Sequence, residues 1–136
     1  MKVTVSRKAH FNAAHRLYRK DWSDKKNDAI FGKCNNPNFH GHNYEMVVSV
    51  TDEIDKETGY VIDIKTLKDI IKEEIEDVFD HKNLNLEVKE FKALNPTAEN
   101  IVVVIYNKIK PRLKASSHLE VTLYETPRNF VTYSGQ

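Results

Sequence analysis

Two stretches in which side-chain character alternates residue by residue constrain this chain most, because a period of two is buried on one side only by a β-strand. From Val3 the odd positions Val3, Val5, Ala9, Phe11, Ala13 and His15 are mostly apolar or small, with Arg7 the one conflict. From His40 the even positions take over, with Tyr44, Met46, Val48 and Val50 inward and Asn43, Glu45 and Ser49 outward. Between them, Arg16 to Phe39 is rich in Lys, Asp and Asn and too polar and aperiodic for a core element. A loop of that length is expected to be functional or disordered.

Beyond a turn at Thr58-Gly59, Asp63 is placed to cap a helix carrying Ile64, Leu67, Ile71, Ile75, Val78 and Phe79 at spacings of three and four. Pro96 to Lys110 gives conflicting signals. Its IVVVIY run favours strand, but Pro96-Thr97 followed by Glu99 resembles a helix start with an acidic first turn, and a helix is predicted. Leu119, Val121 and Leu123, alternating with Glu120, Thr122 and Tyr124, predict a third strand; Phe130 to Tyr133 predicts a short fourth after the turn at Thr126–Asn129.

The order ββααββ predicts an α+β fold, a four-stranded antiparallel sheet with two helices on one face, and a single domain over residues 1–136. Such a sheet leaves one face bare and its edge strands unpaired. Both are relieved when copies join edge to edge, so an oligomer is expected.

Twenty-one basic residues against 20 acidic give a net charge of +1, which argues against general nucleic-acid binding. No apolar run approaches a membrane span and MKVTVSRK lacks the apolar core of a secretory signal, so a soluble, cytoplasmic protein is expected. The single cysteine, Cys34, excludes an intrachain disulfide and suits a reducing compartment. A chain of this length buries enough surface to fold without a structural metal, so a metal site here would be functional.

His40-Gly41-His42 puts two imidazoles on one side of a strand, and His15 lies on the apolar side of the first. Each alone is more often a satisfied core or surface histidine, and His10, of opposite parity, is left out. Together the three suit zinc with an open fourth position for water or substrate. Cys34 stands six positions before His40 in a turn-prone stretch, and two roles are open to it: fourth ligand, or base or nucleophile beside an open site. Asp80-His81 alone reads as an ordinary helix end. Glu125 continues the odd-numbered apolar face of the third strand, where a carboxylate needs a partner, unless the strand ends at Tyr124 and leaves it exposed.

Taken together, Phe11-Asn12-Ala13-Ala14-His15, the run Cys34 to Tyr44, Asp80-His81-Lys82-Asn83-Leu84, Pro96-Thr97-Ala98-Glu99-Asn100 and Tyr124-Glu125-Thr126 resemble the 6-pyruvoyl tetrahydropterin synthase family over nearly the whole chain. The resemblance implies the tunnelling fold, with three subunits closing a barrel and two trimers stacking into a hexamer with sites between subunits. It implies zinc on His15, His40 and His42, Cys34 as general base, Asp80 and His81 as its proton relay, and Glu125 as the pterin anchor. Thr97 and Glu99 match the pterin-side helix start, although Ala98 replaces a hydroxyl residue often found there.

The implied activity is a carbon–oxygen lyase reaction on 7,8-dihydroneopterin triphosphate, releasing triphosphate and giving 6-pyruvoyl tetrahydropterin, with magnesium assisting. The rival within the family is 6-carboxy-5,6,7,8-tetrahydropterin synthase of queuosine biosynthesis, whose cysteine usually stands fewer residues before HGH; residues 35 through 39 intervene here. Rivals of other classes are a non-catalytic pterin- or zinc-binding module and a structural zinc domain with Cys34 as fourth ligand. Arg16, Arg19 and Lys20 are candidates for the triphosphate, against a plain solvated loop.

Overall fold

The computed structural model describes all of Met1–Gln136. Its elements are β1 (Lys2–His15), α1 (Asp24–Phe31), β2 (His40–Glu53), α2 (Ile64–Ile71), α3 (Asp77–Phe79), β3 (Lys82–Asn83), α4 (Leu84–Glu87), α5 (Ala98–Ile109), β4 (His118–Tyr124) and β5 (Phe130–Tyr133). They build an α+β domain around one sheet of order β3-β1-β2-β4-β5.

β1 and β2 pair antiparallel over their full length, from Lys2 opposite Glu53 to His15 opposite His40. That register brings the two alternations into phase, so Val5 meets Val50, Ala9 meets Met46 and Phe11 meets Tyr44 on one face. β4 extends it with Leu119, Val121 and Leu123 opposite Val50, Val48 and Met46. Arg7 shares this face opposite Val48 and is only half-buried.

The helices cover the apolar face alone. Leu67, Ile70 and Ile71 of α2, Phe79 of α3 and Ile101, Ile105 and Ile109 of α5 join it in one core of 23 buried residues. Phe11 stacks on Tyr44 at 4.9 Å and meets Phe79 edge-on at 5.4 Å. On the opposite face, short polar side chains bond across strands: Thr4 with Thr51 at 2.6 Å, Ser6 with Ser49 at 2.7 Å and Asn12 with Asn43 at 2.7 Å.

The predicted caps are present. The Asp63 carboxylate accepts from the Lys65 amide at 2.9 Å, and the Thr97 hydroxyl accepts from the Asn100 amide at 3.2 Å. The run IVVVIY is helical because capping at Thr97 starts a turn that buries Ile101, Val102, Val104 and Ile105, and this burial outweighs the β-preference of its branched residues.

Several features go beyond the sequence expectations, among them the short α4, which buries Leu84. The two-residue β3 adds a fifth strand, parallel to β1 at Ala13 and Ala14. The helix expected from Ile64 to Phe79 is interrupted by a π-turn over Lys72–Glu76, which keeps Ile71, Ile75 and Phe79 on the buried side. The polar segment Arg16–Phe39 holds α1, capped by Ser23, and a 3-10 turn over Gly32–Asn35. In α1 only Asn27 is buried, so the helix docks through polar bonds and leaves no apolar period in the sequence.

Candidate metal centre and active site

The β1–β2 register carries His15 to the end of one strand, directly opposite His40, with His42 two residues along on the same face. The three rings pack edge to face, with centroids 4.5 Å apart for His15–His40, 5.1 Å for His15–His42 and 5.0 Å for His40–His42. One ligand atom from each lies within 4.8 Å of the others, and Cys34 is not part of this set.

His15 is 1 % exposed, and its Nδ1 donates to the Pro96 carbonyl at 2.8 Å. This bond places the proton on Nδ1 and leaves the Nε2 lone pair free, the arrangement that orients a metal-ligating imidazole. Burial lowers the His15 pKa to about 4, opposed by the Pro96 bond and reinforced by His40 and His42. Burial and His42 lower that of His40 as well. His15 is therefore neutral at pH 7, the form a metal requires.

His40 Nδ1 and His42 Nε2 are buried without a hydrogen-bond partner. An unpaired buried polar group costs about 1–3 kcal/mol, and a dication relieves both at once. Three converging imidazoles are a donor set that fits zinc and leaves a fourth position open.

Around this cluster, the Tyr44 hydroxyl lies 3.3 and 3.5 Å from the two ring nitrogens of His15. Burial and then the Glu125 carboxylate push its pKa upward, so it stays a protonated phenol. Glu125 Oε2 is 3.8 Å from His15 Nε2 and its side chain is 27 % exposed. The carboxylate thus continues the inner face although β4 ends at Tyr124. Thr97 caps α5 immediately after the carbonyl that holds His15, and Glu99 lies exposed in the first turn. Cys34 is half-buried in the 3-10 turn, and its carbonyl accepts from the Leu17 amide at 2.8 Å.

Asp80 and His81 form a dyad at the β1 edge. His81 Nδ1 is 3.0 Å from Asp80 Oδ2, and Asp80 Oδ1 accepts from the Asn12 amide at 2.8 Å. The Asn12 bond chiefly, then His81, hold the Asp80 carboxyl below its ordinary pKa. Within the single chain the dyad makes no hydrogen bond to Cys34, and His81 is 82 % exposed. Phe39 and His81 both adopt left-handed backbone, φ 67° and 59°, so local strain sits beside candidate functional residues.

The 6-pyruvoyl tetrahydropterin synthase family model matches residues 4–136. The chain belongs to this family. It is 46 % identical over 132 residues to the 6-pyruvoyl tetrahydrobiopterin synthase of Homo sapiens, covering 97 % of this chain and 91 % of the human one. It is 30 % identical to the 6-carboxy-5,6,7,8-tetrahydropterin synthase of Rickettsia conorii, covering 95 % of this chain and 98 % of that one. The structure of the 6-pyruvoyl tetrahydropterin synthase of Caenorhabditis elegans superposes with a TM-score of 0.94 at 39 % identity, covering 100 % and 97 % of the two chains.

Of the residues marked by the family motifs, one chain brings together His15, His40, His42, Glu125 and the Pro96-Thr97 corner, while Asp80 and His81 are bonded to each other and to Asn12. Of the triphosphate candidates Arg16, Arg19 and Lys20, two are engaged within the chain. Arg16 is bonded to Asn35, Arg19 is paired with Asp21 at 2.8 Å, and Lys20 is exposed. Sequence reasoning missed two groups. Tyr44 carried a signal, a hydroxyl two positions past His42 on the inward face. The Pro96 carbonyl carried none, because a backbone acceptor has no side chain to read.

Proposed function

We propose that the chain converts 7,8-dihydroneopterin triphosphate to 6-pyruvoyl tetrahydropterin as a zinc-dependent carbon–oxygen lyase acting on phosphates. The observation that carries this reading is the converging three-histidine set with buried, unpaired nitrogens on His40 and His42, beside Glu125, in a chain 46 % identical to a human synthase of that name. Triphosphate leaves by elimination, and the hydrogens lost by the side chain are gained by the dihydropterin ring. The reaction needs no external electron acceptor.

When bound to His15, His40 and His42, zinc supplies Lewis acidity to the side-chain oxygens and so acidifies the adjacent C–H bonds. The Pro96 carbonyl keeps His15 in the tautomer that leaves Nε2 free. Glu125 offers paired acceptors to the guanidine-like edge of the pterin, with Thr97 and Glu99 at the neighbouring helix start. Cys34, outside the ligand set, serves as the base that removes the carbon-bound proton. Asp80 and His81 of an adjoining copy take that proton onward, a reading supported by a dyad that is exposed and makes no hydrogen bond to Cys34 in the single chain. The working unit is a hexamer built from two barrel-shaped trimers. Magnesium accompanies the triphosphate, and the setting is cytoplasmic, in keeping with the absence of any helix long and apolar enough to cross a membrane.

The residues between Cys34 and His40, together with 46 % identity to the pyruvoyl-type against 30 % to the carboxy-type relative, favour the pyruvoyl product. Cys34→Ala tests the assignment. It should retain zinc and its fold while kcat falls about 10²- to 10⁴-fold and KM stays within a few-fold. Loss of zinc would make Cys34 a ligand, and a near-normal rate would remove it from the mechanism.

A further inference from the structure

We propose that Asn35 is a positioning residue for the Cys34 thiol and that α1 braces it through Asp28. This inference rests on the base role given to Cys34 above. Asn35 follows Cys34 in the 3-10 turn and is 6 % exposed, although it belongs to the most polar stretch of the chain. Its polar side-chain atoms are engaged. Nδ2 donates to Asp28 Oδ1 at 2.7 Å, and the Arg16 Nε donates to both the Asn35 carbonyl at 3.0 Å and Oδ1 at 3.2 Å.

Arg16 directly follows the metal-site residue His15, and its backbone is clamped from both sides by Asn85. The Arg16 amide donates to Asn85 Oδ1 at 2.8 Å, and Asn85 Nδ2 donates to the Arg16 carbonyl at 2.9 Å. The guanidinium lies 4.0 Å over the Tyr18 ring. The next residue, Leu17, bonds the Cys34 carbonyl at 2.8 Å. Two consecutive residues therefore tie the turn that carries the thiol to the strand end that carries the metal-site histidine, while the thiol itself makes no hydrogen bond.

α1 completes the device. Its one buried residue, Asn27, accepts from the Arg19 amide at 2.8 Å and donates to the Arg19 carbonyl at 2.9 Å, so the helix is pinned to the same segment. The next residue, Asp28, reaches Asn35. Apolar docking is non-directional and leaves a helix free to settle, whereas this polar chain fixes a geometry. A base works only within hydrogen-bond reach of its proton, and a displacement of about 1 Å costs about 100-fold in rate.

The test compares Asp28→Ala, Asp28→Asn and Asn35→Ala with the wild type and with Lys25→Ala, an exposed position on the same helix. Zinc content, kcat and KM for 7,8-dihydroneopterin triphosphate, and the rate of Cys34 alkylation by iodoacetamide as a function of pH are measured on the zinc-loaded proteins. Asp28→Ala and Asn35→Ala should keep zinc and hold KM within about twofold while kcat falls about 10- to 100-fold, and their alkylation profiles should shift. Asp28→Asn, which keeps an acceptor for Asn35, should recover most of the rate, and Lys25→Ala should match the wild type.

Unchanged kcat and unchanged alkylation in Asp28→Ala, an exposed position that should not affect folding, would overturn the proposal. So would a rate loss matched by zinc loss. Alkylation reads the thiol directly, so an active Cys34→Ala protein would defeat the base role while the alkylation profiles still decide whether Asn35 positions Cys34.

Discussion

His15 shows how one side chain is shaped for ligation before any metal arrives. Its pKa is about 4 in the folded chain against 6.5 for a free imidazole, so the unfolded chain takes up the proton first. The stability of the metal-free protein should then be complete above pH 6.5 and fall as the pH drops towards 4, by about 3 kcal/mol from this group. Urea midpoints of chelated protein across that window check it, and His15→Gln should flatten the slope. At the pterin end, Glu125→Gln removes the charge from a paired acceptor. It should weaken pterin affinity by about 10- to 100-fold with zinc content unchanged, as read by ligand titration and metal analysis. The three histidines were legible because strand parity alone puts them on one face. Pro96 and Asn35 were not, since one acts through its carbonyl and the other through partners distant in sequence.

At the scale of elements, alternation and spacing exposed both long strands and the two core helices, but not α4, a single turn too short to show a period although it buries Leu84. α1 and β3 escaped, the first because polar bonds dock it and the second because two residues are too few to show a period. The start of α5 serves both fold and site, since Thr97 caps the helix next to the carbonyl that orients His15. Thr97→Ala should cost about 1 kcal/mol of stability, measured by urea unfolding, and Thr97→Ser should restore most of it. A destabilisation equal in both variants would mean that the threonine methyl, and not the cap, carries the effect.

For the whole molecule, the sheet ends in two short strands, and β1 is paired with β3 only at Ala13 and Ala14, leaving most of one backbone edge open. Its polar face has no helix over it, and the Asp80–His81 dyad makes no hydrogen bond to Cys34. Association of copies relieves all three, so sedimentation at micromolar concentration should show a trimer or hexamer, and a monomer with full activity would contradict a site shared between copies. The chemistry itself is tested most directly by incubating the zinc-loaded protein with 7,8-dihydroneopterin triphosphate and magnesium, without reductant, and identifying the products by mass spectrometry. A 6-pyruvoyl tetrahydropterin product with equimolar triphosphate is the predicted result; a 6-carboxy product with acetaldehyde, or no turnover by fully metallated protein, would contradict it.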